Sequence, residues 1–175
     1  QSNNYNFKNI KKINFKLIIN KNTGDLFLKN PSNFKNLICP NSWLKYNEPE
    51  EHLKKIIKIY EDNFSVNEKF VIGVSYKDQS FIDNLDINKI KKKKILDPIK
   101  DLKLNKNFGI ESIQDRLSRI KNVDLNYKKK PDLIVARHVW EHFYRQDKFV
   151  RLLRNISDEN TLFYFEIPDC EKSIK

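Results

Sequence analysis

Residues 131–136 (PDLIVA) consist of a proline and an acidic residue followed by four consecutive apolar residues. A short, continuous apolar run is typical of a strand that is covered on both faces, as in a parallel sheet. Residues 69–74 (KFVIGV) form an earlier run of the same kind. Residues 161–167 (TLFYFEI) form a later one, which Pro168 closes. These three runs predict the central strands of one sheet.

Helical patterns separate the predicted strands. Apolar spacing predicts helices at residues 49–63, 78–85 and 149–156, a further helix through Ile113, Leu117 and Ile120, and short strands at 94–97 and 108–110. From residue 69 onward strands and helices therefore alternate, which favours an α/β fold with a mostly parallel sheet and helices on both faces. We expect a doubly wound, Rossmann-like sheet whose strand order reverses beside its first strand.

The first 47 residues predict a separate segment. Residues 1–12 are polar, and two strand patterns at 14–20 (NFKLIIN) and 25–29 (DLFLK) flank the turn signal Asn22-Thr23-Gly24. This arrangement predicts a small N-terminal β-hairpin. A loop then leads into the α/β domain, which we place at residues 48–175.

The net charge of +11 invites a nucleic-acid interpretation. However, Lys dominates the cations, and Arg is the residue whose fork binds phosphates and bases bidentately. A basic, RNA-associated protein would rest on charge alone, so we do not expect nucleic acid as a partner. The runs at residues 91–94 and 128–130 are interpreted as solvated polar edges just before strands. With no spanning helix, no visible leader and two cysteines, Cys39 and Cys170, we expect a cytoplasmic protein without membrane contact.

Residues 138–142 (HVWEH) match the zinc-binding pattern H-x-x-E-H. Two histidines and a glutamate on one helix can hold Zn²⁺ and activate water. Here the pattern follows directly after the strand at 131–136, which places His138 at a strand end. We therefore predict no metal site.

With their neighbours, the same residues are similar to a known family. The succession of residues 131–143 (PDLIVARHVWEHF), 149–153 (FVRLL) and 162–169 (LFYFEIPD) resembles the second half of class I S-adenosylmethionine-dependent methyltransferases. The sugar C-methyltransferase-like proteins are the nearest group. The resemblance extends over roughly residues 43–170, with residues 70–85 falling at the family's first strand and glycine-rich loop. It implies S-adenosylmethionine as the cofactor and a small, sugar-like acceptor.

The loop after the first strand departs from the family. The family has an acidic residue followed by three alternating glycines, and the resemblance aligns these with Gly73, Ser75, Lys77 and Gln79. Glycine allows a sharp turn and a close approach of the backbone to a ligand. Lys77 and Gln79 in left-handed conformations would be strained, so the loop must either bend differently or accept strain.

The other residues that the resemblance implies for cofactor binding follow later strands. Asp97, after the second strand, would accept the ribose hydroxyls, with the alternative that it is a helix cap before Pro98. Arg137 and His138 would line the methionine side of the cofactor, with the alternative that Arg137 is an ordinary surface cation. His142 is the candidate general base for the acceptor's proton. Its alternative is to pack, with Trp140, against the sheet.

Two functions follow from these residues. The first is a methyltransferase acting on a sugar or a nucleotide-linked sugar in surface polysaccharide synthesis, and the second is a non-catalytic protein of the same fold that serves as an interaction module. The family's sheet has further strands after the one at 161–167, so the domain is expected to be incomplete at its C-terminal end. An open sheet edge also allows a homodimer.

Overall fold

The computed structural model describes residues 14, 16–36, 50–63, 69–86, 88, 90–106 and 109–169. The predicted features at residues 1–12, at both cysteines and at the start of the helix at 49 lie outside the described residues. Contacts divide the chain into two units, Gln1–Leu37 and Ile38–Lys175. Within the described ranges, none of the helices has the length and apolar character needed to cross a lipid bilayer.

The first unit contains the predicted hairpin. Strands β1 (Leu17–Ile19) and β2 (Leu26–Leu28) pair antiparallel, with Ile18 opposite Phe27. The turn closes with a 2.8 Å hydrogen bond from the Gly24 N–H to the Asn20 carbonyl. The φ of Gly24 is +76°, a left-handed conformation that glycine adopts without steric cost. The hairpin is confirmed, with shorter strands than the sequence pattern indicated.

The second unit is built on a four-stranded parallel sheet. Its strands are β3 (Lys69–Gly73), β4 (Ile90–Ile95), β5 (Leu133–Arg137) and β6 (Leu162–Glu166). Their order is β4-β3-β5-β6, and every neighbouring pair is parallel. Strand β4 therefore lies on one side of β3, and β5 and β6 lie on the other. The α/β class and the parallel sheet are confirmed.

Helices cover both faces of this sheet: α1 (Leu53–Asn63), α2 (Gln79–Asp83), α3 (Ile110–Arg119) and α4 (Gln146–Ile156). Alternate strand residues serve the two sides. Ile72 and Ile134 join the core beneath α3 and α4, while Val71 and Leu133 join the core with α1 and α2. The near-continuous apolar runs in β3 and β5 follow from this burial on both faces.

Two predictions of secondary structure were wrong. The lysines at 91–94 do not precede a strand but form most of β4, which is an edge of the sheet. The expected strand at 108–110 is also not formed by the residues described there. Gly109 is the N-cap of α3 with a φ of +78°, and Ile110 is the first residue of that helix. A positive φ lies outside the strand conformation, and glycine adopts it readily. Gly109 therefore interrupts the expected strand and precedes the helix.

The opposite edge of the sheet, β6, is apolar. Leu162 is 43% exposed and Phe165 is 39% exposed. A shallow cavity of about 310 Å³ lies beside this strand and is lined mainly by apolar side chains from β6, α4 and the segment after β5: Trp140, Val150, Leu153, Phe163 and Phe165, with Arg154 and Ser157. The cavity and the strand form one apolar surface.

Candidate functional site

The predicted site residues meet at one edge of the sheet. Because the four strands are parallel, the segments that follow Gly73, Ile95, Arg137 and Glu166 all leave from the same, carboxyl-terminal edge. Ligands of open parallel sheets bind outside this edge, where the strand order reverses. Here the reversal lies between β3 and β5.

The loop after β3 bends differently from a glycine-rich loop. Ser75 is extended (φ −146°) and caps a short 3-10 turn over Tyr76–Asp78, while Gln79 has a φ of −55°. Neither Lys77 nor Gln79 has a positive φ. Of the two alternatives, the loop therefore bends differently and does not accept backbone strain at Lys77 or Gln79. The Ser75 hydroxyl accepts the Lys77 N–H at 3.2 Å, so this amide is satisfied within the loop.

Asp78 holds this loop against β5, and sequence analysis did not identify it. Its buried carboxylate accepts the Ser75 N–H at 2.8 Å and the Arg137 N–H at 2.7 Å. Burial raises the pKa of Asp78 to about 7, although these backbone hydrogen bonds lower it. Gly73 makes the close packing possible, since a Cβ there would lie 2.8 Å from the Asp78 Cβ.

Arg137 is fully buried rather than an ordinary surface cation. Its Nε donates to Glu166 Oε2 at 2.7 Å, and its Nη1 donates to the Lys77 carbonyl at 3.0 Å and the Ser80 hydroxyl at 2.9 Å. Burial lowers the pKa of Arg137, but the hydrogen bond and charge of Glu166 outweigh it and raise that pKa. Among the described residues, its Nη2 has no hydrogen-bond partner. Arg137 thus fills the crevice between β3 and β5.

Glu166 is the second site residue that sequence analysis missed. Besides Arg137, it accepts a hydrogen bond from the Tyr164 hydroxyl at 2.9 Å, and its Oε1 lies 2.9 Å from His138 Nε2 and 3.2 Å from His52 Nε2. Burial opposes ionisation, but the Arg137 hydrogen bond prevails and lowers the pKa of Glu166 to about 2. The only sequence signal for this role was an acidic residue at the end of a predicted strand.

Asp97 caps the turn that follows β4. Its Oδ1 accepts the Ile99 N–H at 2.8 Å and the Lys100 N–H at 2.6 Å. The Lys100 N–H in particular lowers the pKa of Asp97. Asp97 thus caps a turn and not the helix that the sequence suggested. Since both amides bond to Oδ1, the arrangement is also compatible with a ligand hydroxyl at Oδ2.

His142 pairs with a carboxylate from a different element. Its Nδ1 lies 2.7 Å from Glu111 Oε1, in the first turn of α3, and its ring is half-buried. A carboxylate at one ring nitrogen orients the imidazole and leaves the other nitrogen for proton transfer. Trp140 instead packs against Phe149, with ring centroids 5.5 Å apart, and against Phe165, at 5.0 Å.

The two histidines of the H-x-x-E-H pattern do not converge. His138 contacts Glu166, whereas His142 contacts Glu111. His138 also has a φ of +47°, an uncommon conformation for a residue other than glycine. Across the described residues, no group of three or more His, Cys, Asp or Glu side chains is arranged to hold a metal ion.

Comparison with protein-family models, with curated proteins and with solved structures found no match. The candidate cofactor has therefore to be assessed on these residues. Asp97 and the His142–Glu111 pair are compatible with it, because each presents a polar atom at the carboxyl edge. The loop at 75–78 fits less well, because its own side chains already accept two of its amides, those of Ser75 and Lys77.

Proposed function

We propose that this chain is a methyltransferase-like protein of Rossmann-like fold that binds S-adenosylmethionine and acts on a small, sugar-like acceptor in the cytoplasm. The observation that carries the proposal is the placement of Asp97 and of the His142–Glu111 pair after β4 and β5, on either side of the strand-order reversal at β3. A fold alone does not assign a function, so the proposal depends on these residues.

Each of these residues has a separate task. Asp97 would accept the ribose hydroxyls through Oδ2 while its Oδ1 keeps the turn capped. Glu111 would hold the imidazole of His142 so that Nε2 can take the proton of the acceptor's nucleophile. The cofactor supplies an electrophilic methyl group on a sulfonium. Placing base and acceptor together is then the protein's main contribution to the rate.

The first test is calorimetric titration of the full chain with S-adenosylmethionine and with its demethylated product. We expect weak binding, with a dissociation constant of about 1 mM, because the side chains of Ser75 and Asp78 already accept two of the loop's amides. Asp97→Asn keeps an acceptor for the cap but removes the carboxylate, and it should weaken binding about tenfold or more. Asp97→Ala should abolish binding.

Asp101→Asn is the matched control for this turn. Asp101 accepts the Asp97 N–H at 2.8 Å and pairs with Lys94, but it is not assigned to the ribose. If Asp101→Asn weakens binding as much as Asp97→Asn, the effect comes from the turn, and the ribose role is wrong.

A non-catalytic interaction module remains the second candidate, and a specific observation favours it. Asp78 and Arg137 fill the crevice between β3 and β5 with the protein's own charges. Triple replacement of Ser75, Lys77 and Gln79 by glycine would remove the cap and open this loop. Binding by the triple variant alone would indicate a degenerate relative. If neither form binds at about 5 mM cofactor, the methyltransferase function is wrong.

A further inference from the structure

A basic cavity of about 520 Å³ lies between the end of α3 and the outer part of α4. It is lined by residues from both helices: Ser118, Arg119, Ile120, Lys121, Lys148, Arg151, Leu152, Arg154 and Asn155. Five of these are cations and none is acidic. The volume falls within the range of about 300–1,000 Å³ that is typical of small-molecule sites.

Four of the five cations form no ion pair within the part of the chain that the structure describes. Arg119 is paired with Asp115 through two hydrogen bonds of 2.9 Å. By contrast, no ion pair with another described residue is found for Lys121, Lys148, Arg151 or Arg154. The nearest acid along α4, Asp147, is paired with Arg145 at 3.0 Å.

Helix electrostatics explain only part of this arrangement. Cations near a helix C-terminus are stabilised by the helix dipole, which accounts for Arg119 and Arg154. Lys148 lies instead in the first turn of α4, where the dipole disfavours a cation. It is also three residues before Arg151, and like charges at this spacing destabilise a helix. A bound anion would compensate both.

The chemistry of the lining favours a phosphate group. Arginine binds phosphate oxygens through a bidentate fork, and lysine adds a point charge. Ile120 and Leu152 provide apolar surface for an uncharged part of the ligand. No aromatic residue lines the cavity, whereas single-stranded nucleic acids are usually held by stacking on aromatic rings. A small phosphorylated molecule therefore fits better than a polynucleotide.

The cavity is separate from the site at the carboxyl edge. None of the residues that line the cavity is assigned to the cofactor or the acceptor. Helix α4 begins after β5 and ends before β6, so the lining extends from its first turn to its last turn, toward the amino-terminal edge of the parallel sheet. His142 and Asp97 lie after the carboxyl ends of their strands. The cavity does not depend on the proposed cofactor.

We propose that the cavity between α3 and α4 binds a small molecule that carries a diphosphate group. The probes are inorganic pyrophosphate and ADP, titrated into the full chain at physiological ionic strength. We expect both to bind, and backbone amide signals at residues 118–121 and 148–155 to shift in NMR spectra. Lys148→Gln combined with Arg151→Gln should weaken binding about tenfold or more.

The matched control is Lys54→Gln combined with Lys58→Gln. Both lysines are exposed on α1, and this pair removes the same total charge from a helix on the other face of the sheet. Equal weakening by both pairs would mean that ADP responds only to net charge, which would overturn the proposal. No binding of either probe at about 10 mM would also overturn it.

Folding and ligand class are checked in the same variants. Unchanged thermal unfolding of the double variant excludes loss of structure as the cause of weakened binding. If it unfolds early, the single variant Arg151→Lys, which keeps the charge but removes the fork, should still weaken ADP binding; unchanged binding would contradict the proposal. A single-stranded oligonucleotide that binds more tightly than ADP, and through the same residues, would identify a polynucleotide site instead.

Discussion

The two edges of the parallel sheet have opposite chemistry. Edge strand β4 reads IKKKKI, and edge strand β6 reads LFYFE. On β4 the Lys93 ammonium donates to the Leu85 carbonyl at 2.6 Å, and Lys94 pairs with Asp101 at 2.8 Å. On β6 the rings of Phe163 and Phe165 stack with centroids 5.8 Å apart. Charged edge strands resist pairing with another sheet and apolar ones favour it, so among the described residues only the β4 edge is protected in this way.

Loss of the buried cation next to β6 should reduce stability more than loss of a cation on β4. Arg137→Met should lower the free energy of unfolding by about 3–5 kcal/mol, because Glu166 on β6 would lose its buried cation. Lys94→Met, the counterpart on β4, removes a pair whose cation is 17% exposed rather than 1%, and it should cost less, about 1.5–3 kcal/mol. Urea denaturation measures both. Equal costs would mean that Arg137 does not anchor β6.

The second effect is the acid sensitivity of the β6 edge. The pKa of Glu166 is about 2 in the folded chain against 4.5 ordinarily, so its contribution is complete above about pH 4.5 and is lost as the pH falls toward 2. Discounted for partial exposure, it amounts to about 1–2 kcal/mol. The stability difference between wild type and Glu166→Gln should therefore shrink across this range in urea titrations. A constant difference would contradict the assignment. Asp78 titrates near pH 7, above this window.

The third effect concerns a lysine of the β4 edge. The Lys92 ammonium lies 4.1 Å from the centroid of the Tyr127 ring and 5.3 Å from that of Phe70. Lys92→Ala should lower the free energy of unfolding by about 0.5–1 kcal/mol, because a cation–π contact and the cover of the stem are lost. Lys100→Ala, at an exposed position in a turn, is the control in the same chemical denaturation. A cost no greater than that of the control would show that Lys92 only supplies charge.

A substitution at an exposed apolar residue of β6 should change self-association and hardly change stability. Leu162→Lys should leave the free energy of unfolding within about 0.5 kcal/mol, because Leu162 is 43% exposed, but it should reduce self-association through β6. An antiparallel pair of β6 edges would bring the exposed apolar residues of two copies together. Lys91→Val on β4 should have the opposite effect. Sedimentation at increasing concentration measures both, and an identical average mass for all three proteins would show that neither edge pairs.

The sequence predicted the strands that are buried and the edge at which their loops meet, because an apolar run and a strand end are local signals. The prediction for residues 91–94 was wrong because a charged edge strand lacks both the alternation and the apolar run that indicate a strand. The network at Arg137 was invisible for another reason. Its partners Asp78 and Glu166 lie 59 and 29 residues away along the chain, so only the fold brings them together.

Trp140 packs between Phe149 and Phe165, and this position makes it useful as a fluorescent probe. Its indole lines the apolar cavity beside β6, so its emission wavelength should respond to the polarity of whatever covers that strand. The sequence holds one other tryptophan, Trp43. Replacing Trp43 with phenylalanine would leave Trp140, at the β6 edge, as the only tryptophan of the sequence. Burial of that edge would then be recorded as a blue shift, without an added dye.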